Sequence, residues 1–221
     1  LICSGNSSNF YKNPVSLAAN EPKNVETSLI LDRIITGGLK GTCNIRAFLG
    51  TDSSTTSFFK VSDLIIVQGN LSKTSFNPEE SIFVSGSAVR ENGDPANGYS
   101  ELSILDGNST LLVQQGTVNN GAFTSNVTLP KETKAGNYLL RVTVYESDLS
   151  GSISNTGFQD INININQVPT SLEIVFEQPS AEVEPGTNLM VRAVLYDQTG
   201  VKIDSLVFLT VKNNKRRIQE Q

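Results

Sequence analysis

Apolar and polar residues alternate along most of the 221-residue chain. In "YLLRVTVYE" the alternate positions Leu140, Val142 and Val144 are apolar, and in "SIFVSGSAV" Ile82 and Val84 begin a similar series. Successive side chains of a β-strand point to opposite faces, so this period of two predicts strands with one buried side. The pattern therefore favours half-buried antiparallel strands.

The predicted strands are separated by sequences that favour turns, namely "ENGDP", "DGN", "NNG", "KAGN" and "DQTG". They recur about every 8 to 12 residues, a spacing typical of an all-β sandwich and not of alternating strands and helices. The expected fold class is therefore all-β, with antiparallel sheets packed as sandwiches.

Two internal matches indicate the length of a repeating unit. Residues 77–93 match residues 184–200, because both contain a proline turn, an alternating strand and a turn ending in glycine, and their prolines lie 107 positions apart. Residues 41–61 match residues 136–161 at an offset of 95 positions. An immunoglobulin-like sandwich has about 100 residues, so we expect tandem immunoglobulin-like domains.

The matches predict three units. Residues 1–67 are expected to be the C-terminal part of an immunoglobulin-like domain, residues 68–167 a complete domain, and residues 168–221 the start of a further domain. The last unit is short of the roughly 100 residues of a sandwich, so we expect it to be truncated or completed by strands of a neighbouring molecule. Because the sequence starts with Leu1 and not Met, we expect a processed product or an excerpt of a longer protein.

Residues 82–144 carry a family resemblance. The succession "IFVSGSAVRENGDPANGYSELSIL", "GAFTSNVTLP" and "KAGNYLLRVTV" resembles the macroglobulin-like and bacterial or archaeal immunoglobulin-like repeats of cell-surface and secreted proteins. The division into units predicts that Cys3 and Cys43 of the first unit lie on an early and a penultimate strand, like the bridge between the sheets of immunoglobulin domains. The Cys-Gly-Glu-Gln thioester motif of true macroglobulins is absent from the sequence, which argues against covalent protease trapping.

Cys3 and Cys43 are the two cysteines of the chain, and their spacing fits neither a metal motif nor a redox motif. A disulfide formed in an oxidising compartment is one interpretation, and two buried free thiols are a second. A lipidated Cys3 followed by the tether "SGNSSN" is a third, although Ile2 stands where the processing motif requires a small residue.

The absence of histidine changes the functional picture most. It excludes Ser-His-Asp and Cys-His nucleophile activation, histidine ligation of zinc and the usual general base near neutral pH. The net charge of −5 argues against binding to nucleic acid or to an anionic membrane. No apolar run approaches the roughly 20 residues of a membrane-spanning helix. We expect no catalytic residue, no metal site, no cofactor and no membrane span in this segment.

Acidic residues cluster between positions 79 and 106, and their placement in turns and on outward strand positions predicts solvated side chains. A glycosidase pair needs two carboxyl groups about 5 to 10 Å apart in a cleft, which such placement does not supply. A calcium site of Glu91, Asn92 and Asp94 would suit oxygen ligands, but no D-x-D-x-D-G loop supports it. The acids concerned are Glu79, Glu80, Glu91, Asp94, Glu101 and Asp106.

Four N-x-S/T sequons make Asn6, Asn70, Asn108 and Asn126 candidate glycosylation sites. The 22 Asn and 43 Ser or Thr residues would produce about four such triplets by chance, so their number is no evidence of glycosylation. The basic run "KNNKRR", residues 212–217, is expected to be an exposed hairpin loop.

Three tyrosines are candidates for a sugar-binding platform, and the expected role of each is that of an interior or corner residue. They are Tyr99, Tyr145 and Tyr196.

Together these features predict a non-enzymatic extracellular or cell-surface protein of immunoglobulin-like modules, acting as a spacer, a surface-layer or filament component or an adhesion segment. Its expected partners are other protein modules or cell-surface components, including copies of itself. Residues 68–74 and 166–170 are expected to be linkers that set the angle between modules. The alternatives are an accessory ligand-binding module of a secreted enzyme and a macroglobulin-like protease-trapping protein.

Overall fold

The structure is a computed structural model. It describes residues 1–9, 11–12, 14–16, 19, 22–26, 31, 36–148, 151–177, 182, 184, 186–213 and 216–220, with the side chains of the last part described up to residue 210. β-Strands dominate these residues, which confirms the all-β class.

The strands of the described residues are numbered in chain order. They are β1 Ile2–Cys3, β2 Asn6–Ser7, β3 Gly41–Asn44, β4 Arg46–Leu49, β5 Asp52–Thr55, β6 Phe59–Val61, β7 Ile65–Leu71, β8 Ser75–Phe76, β9 Ser81–Arg90, β10 Gly98–Asp106, β11 Ser109–Asn119, β12 Ala122–Thr128, β13 Gly136–Ser147, β14 Ile153–Ile165, β15 Pro169–Phe176, β16 Val191–Asp197, β17 Lys202–Ile203, β18 Thr210–Asn213 and β19 Arg216–Glu220.

Eight strands form the central module, which we define as residues 65–165. Their order is β7-β9-β12-β11-β10-β13-β14-β8, and β14 and β8 form a parallel pair. β11 and β12 pair only beside their turn, where Val118 opposes Phe123 and Asn119 opposes Ala122, and beyond it they separate. β7 and β12 then face β13, β14 and β10 across the interior. This arrangement is compatible with a β-sandwich.

The alternate apolar positions of the sequence face the interior of the central module. Ile82, Val84, Leu140, Val142 and Val144 are each at most 2% exposed, which confirms the faces predicted for these strands. The other buried hydrophobic members of this core are Ile65, Val67, Phe76, Ala88, Ala96, Leu102, Ile104, Val118, Phe123, Val127, Leu129, Tyr138, Ile163 and Ile165.

A glycine pair makes room for the Phe123 side chain of the neighbouring strand β12. Gly69 and Gly86 oppose each other in the β7–β9 ladder. A Cβ atom on Gly86 would lie 2.5 Å from Cζ of Phe123 and still closer to the carbonyl oxygen of Gln68. The absence of a side chain at this position is therefore required for the packing of Phe123.

The N-terminal part forms a small sheet of order β2-β1-β3-β6 around the Cys3–Cys43 disulfide. The two cysteines oppose each other on the adjacent strands β1 and β3. The bridge therefore joins neighbours within one sheet, and the expected placement between two sheets is wrong. Leu1 packs beside it in a small core. With a sequence separation of 40 residues, the bridge stabilises this part by about 4 kcal/mol.

One of the two expected linkers is a strand. Residues 68–71 belong to β7, because Gly69 pairs with Gly86 and Leu71 packs against the central core. β7 also crosses the boundary expected between residues 67 and 68, since Ile65 and Val67 are buried in the same core. Residues 166–168 do connect two sheets, because they join β14 to β15, which are strands of different sheets. The division of the chain into three domains stays a prediction.

The C-terminal segment, which we define as residues 169–220, repeats part of the central module. β16 ends 107 positions after the end of β9, and β18 ends 107 positions after the end of β10. β19 likewise begins 107 positions after the start of β11. One face of the β15-β16-β17 sheet is apolar across its strands. On this face Leu172 pairs with Leu195, Ile174 with Ala193 and Phe176 with Val191.

Candidate functional site

The side chain of Gln198 occupies the C-terminal joint, which we define as the contact between the "DQTG" turn and the end of the central module. Its Nε2 donates hydrogen bonds to the carbonyl oxygens of Thr133 and Asn166, each at 3.1 Å, and its Oε1 accepts one from the Val168 amide at 2.9 Å. Gln198 is only 7% exposed. A buried amide that uses both its donor and its acceptor in this way fixes the direction in which the next sheet leaves the module.

Asp197 builds the turn that presents Gln198. Its Oδ1 accepts hydrogen bonds from the amide and hydroxyl of Thr199 and from the amide of Val201, at 2.8 to 3.0 Å. Its Oδ2 accepts one from Nε2 of Gln167 at 2.9 Å. These bonds, that from Gln167 foremost, outweigh desolvation and lower the pKa of Asp197 from 3.8 to about 2. The ionised carboxylate therefore organises the turn at neutral pH.

The local sequence explains why the turn forms here. Asp favours hydrogen bonds to backbone amides shortly after itself, and Gly200 adopts a positive φ of 79° that other residues rarely accept. The amide of Gly200 donates to the Asp197 carbonyl at 3.0 Å, which closes the turn. The "DQTG" turn predicted from the sequence thus also places Gln198 in the C-terminal joint.

The N-terminal joint, between β6 and the central module, uses ion pairs at the surface. Nζ of Lys40 lies 2.9 Å from Asp63, and Nζ of Lys60 lies 2.5 Å from Glu91. The bond from Lys60, followed by one from Ser62, lowers the pKa of Glu91. The Lys40 and Asp63 side chains are 62% and 47% exposed, and pairs this exposed contribute little stability.

Backbone bonds complete the N-terminal joint. The amide of Thr156 donates to the Asp63 carbonyl at 2.9 Å, and the amide of Glu91 donates to the Leu64 carbonyl at 3.2 Å. A cleft of about 690 Å³ lies beside these bonds, with Leu31 among its lining residues. The two joints therefore differ in their contacts: the N-terminal joint is held by exposed ion pairs and backbone bonds, and the C-terminal joint by the buried side chain of Gln198.

A buried carboxylate at Glu146 ties the loop after β9 to β13. Glu146 is 3% exposed and receives two hydrogen bonds from Arg90, at 2.9 and 3.0 Å. The Asn97 amide and Nδ2 of Asn155 each donate a further bond at 2.7 Å. Burial raises the pKa of Glu146, but these hydrogen bonds lower it more, so it lies below 4.5. All of its bonds are internal, which gives the group a structural role.

The acidic positions considered from the sequence lie in turns and on the outer strand face. Glu80 binds Lys73 and the Asn77 amide, which lowers its pKa. Asp94 binds Asn92 through its side chain and its amide, so this loop satisfies its own polar groups. Glu101 points outward as expected.

Tyr99, expected to be an interior or corner residue, is not interior, because its side chain is 51% exposed on the outer face of β10. Its ring lies 5.7 Å from that of Tyr145, with 30° between the ring planes. On the same face the Arg141 guanidinium lies 4.6 Å from the centre of the Phe158 ring and forms an ion pair with Asp160. Tyr196 lies elsewhere and donates a hydrogen bond to Glu173 at 2.9 Å.

All four sequon asparagines, Asn6, Asn70, Asn108 and Asn126, are exposed. Of the basic run, residues 212–213 and 216–217 belong to the β18–β19 hairpin, and residues 214–215 lie outside the described part. Within the described ranges no group of three or more acids or cysteines is arranged to hold a metal ion.

No family model and no curated protein matches the chain. Across the residues described, no helix is both long enough and apolar enough to cross a bilayer.

Proposed function

We propose that the chain is a non-catalytic structural protein of the cell surface or extracellular space, in which immunoglobulin-like modules act as oriented spacers. The observation that carries the proposal is the buried Gln198 at the C-terminal joint. A flexible tether would not need a glutamine whose three hydrogen bonds reach Thr133, Asn166 and Val168. A spacer that must hold its neighbour in one direction does.

The strand order of the central module supports the immunoglobulin-like assignment. β7, β9 and β12 correspond to strands A, B and E of such domains, and β10, β13 and β14 correspond to strands C, F and G. Tyr138, near the start of β13, is buried and donates a hydrogen bond from its hydroxyl to the Lys134 carbonyl at 2.9 Å. This matches the tyrosine corner typical of strand F.

Two further observations support a structural role outside the cytoplasm. The buried acids Glu146 and Asp197 are occupied by internal hydrogen bonds, and the chain has no histidine to act as a general base. The Cys3–Cys43 disulfide favours an oxidising compartment.

The proposal is tested by measuring the distance between spin labels on the two sides of the C-terminal joint. Asn162→Cys and Lys202→Cys place the labels on exposed strand positions. We expect a single narrow distance distribution in the parent chain. Gln198→Ala removes the joint's bonds at a cost of about 1 to 3 kcal/mol, so open orientations should gain roughly tenfold or more in population.

Gln68→Ala is the matched control, because it removes an exposed glutamine side chain from β7. It should leave the distance distribution narrow. A distribution that is already broad in the parent chain, or that is unchanged in Gln198→Ala, would contradict an oriented spacer.

A further inference from the structure

β11 presents an open backbone edge. It pairs with β10 from Ser109 to Val118, whereas its pairing with β12 is limited to Val118 and Asn119. Among the residues that the structure describes, no other strand pairs with positions 109–117. Leu111 and Val113 in this stretch are 40% and 50% exposed. The edge is thus long, extended and partly apolar.

The sequence of this edge lacks the features that normally prevent strands from pairing. Its residues, "STLLVQQGTVN", include no charge and no proline. Proteins usually block such edges with lysine, proline, a bulge or a covering segment, since unpaired backbone groups accept any further strand. The edge does contain one bulge: Leu111 of β11 has no partner on β10, because Leu112 pairs with Ile104 and Thr110 with Leu105. Positions 112–118 remain in regular register.

The opposite side of the central module, along β14, has neighbours at both of its ends. The amide of Thr156 on β14 donates a hydrogen bond to the carbonyl of Asp63, just before β7. Leu64 and Thr156 form a parallel bridge at the same place. Farther along, the Gly69 amide donates to the Gln159 side chain. β12 also lacks a second partner beyond its turn with β11, but it ends at Thr128, so β11 is the longer open edge among the described strands of the central module.

We propose that β11 is a self-association surface, at which β11 of a second copy of this chain pairs antiparallel to it about a twofold axis. A twofold axis places each strand opposite its own sequence. Such pairing is penalised when like charges meet, and this strand carries none. The result would be one continuous sheet across two central modules. This inference goes beyond the spacer function and does not depend on it.

One hydrogen bond of the monomer must break before β11 can pair with a second copy along its whole length. Nε2 of Gln114 donates a hydrogen bond to the Gln115 carbonyl at 2.9 Å. Because this side chain is exposed, its amide can turn to water, and the carbonyl can accept an amide of the second copy instead. The edge therefore has a side chain that covers one acceptor in the monomer.

The test is sedimentation of the full chain over a wide range of concentrations, combined with amide hydrogen exchange. We expect a reversible dimer whose formation slows exchange within residues 109–117. Val113→Lys should weaken the dimer by about tenfold or more, because it brings two like charges to the shared edge. Ile66→Lys adds the same charge at a similarly exposed position, 43% exposed on β7, and should not weaken it.

A third variant separates this edge from the apolar face of the C-terminal segment. Ile174→Lys alters that face, where Ile174 is 51% exposed, and should leave the β11 dimer intact. Dissociation by Ile174→Lys but not by Val113→Lys would overturn the proposal. A chain that stays monomeric at every concentration would also overturn it, and a monomer that nevertheless binds a peptide of the β11 sequence would indicate a foreign strand as the partner.

Discussion

The central module and the C-terminal segment share a sequence pattern at a spacing of 107 positions, yet among the described residues only the first buries it. Ile82 and Val84 are 0% exposed, whereas Leu189, the counterpart of Ile82, is 45% exposed and Val191, that of Val84, is half-buried. Both regions form a sheet with an apolar face. In the central module β13 and β14 cover that face, and in the C-terminal segment Leu172 and Phe176 remain about half exposed or more. The alternation of apolar and polar residues therefore produces an apolar face on each sheet, and the burial of that face requires a second sheet packed against it.

The two regions also differ at one pair of facing positions. The central module has Gly69 opposite Gly86, and the C-terminal segment has Ile174 opposite Ala193. The glycines allow Phe123 to approach the backbone. Close packing has thus set the residue type in the central module, whereas the C-terminal segment accommodates larger side chains.

The largest expected effect comes from removing the buried carboxylate of Glu146, whose ion-pair partner Arg90 has a side chain 42% exposed. Glu146→Ala leaves the Asn97 amide and Asn155 without their acceptor, so it should lower the free energy of unfolding by about 3 kcal/mol. Urea denaturation measures the change. Glu132→Ala, at an exposed position, is the control and should change stability little. Equal stability of both variants would show that the Glu146 network contributes no net energy.

Adding one methyl group at Gly86 tests whether the central module requires glycine where the C-terminal segment has Ala193. Gly86→Ala should destabilise the central module by about 3 kcal/mol, because its Cβ would collide with Phe123 and the backbone. Ala193→Gly makes the reverse change in the C-terminal segment and should cost about 1 kcal/mol or less. Hydrogen exchange resolves the two regions. A tolerated Gly86→Ala would mean that Phe123 and the paired strand β7 can shift without cost.

The same substitution at equivalent positions sharpens the comparison of burial. Val84→Ala should cost about 2 kcal/mol, since it removes two buried methyl groups and leaves a cavity. Val191→Ala, 107 positions later, should cost under about 1 kcal/mol because its side chain is half-buried. Local exchange rates in β9 and β16 report the two effects. Similar costs would indicate that an opposing sheet also covers β16.

Acid should loosen the C-terminal joint before it affects apolar contacts. The pKa of Asp197 is lowered from 3.8 to about 2, so its contribution is present above about pH 4 and is lost as the pH falls through about 2. The Thr199 amide resonance should therefore titrate with a midpoint near 2. Asp197→Asn should abolish the titration. A midpoint at 3.8 would show that the carboxylate is not engaged in the turn.

The period-two pattern predicted the strands of the central module and their buried faces, because each strand carries its own alternation. It did not indicate which strands lie side by side. The predicted positions of Cys3 and Cys43 would place a bridge between two sheets, whereas the register of β1 and β3 makes them direct neighbours in one sheet. Residues 68–71 resemble a linker in composition, but Gly69 is there for close packing against Gly86.

The polar sites were harder to anticipate. Glu146 follows Val144 in the inward series of β13, and that position was the available signal that it is buried. Its partner Arg90 is 56 positions away, so only the topology brings the two together. Gln198 was visible as part of a turn, but its acceptor Thr133 is 65 positions away in another turn. Long-range polar contacts carry no local pattern in a single sequence.

The parallel neighbours at the two ends of the central module determine how it would respond to pulling. The chain enters beside the Leu64–Thr156 bridge and leaves beside the Asn164–Ser75 pair, both parallel. Tension applied through the flanking segments would slide the first and last strands past each other, so it would act along the strands and across their hydrogen bonds. Bonds loaded in shear share the force and rupture together, whereas bonds at the end of a hairpin open one at a time. The connectivity of the module therefore suits it to carry a mechanical load.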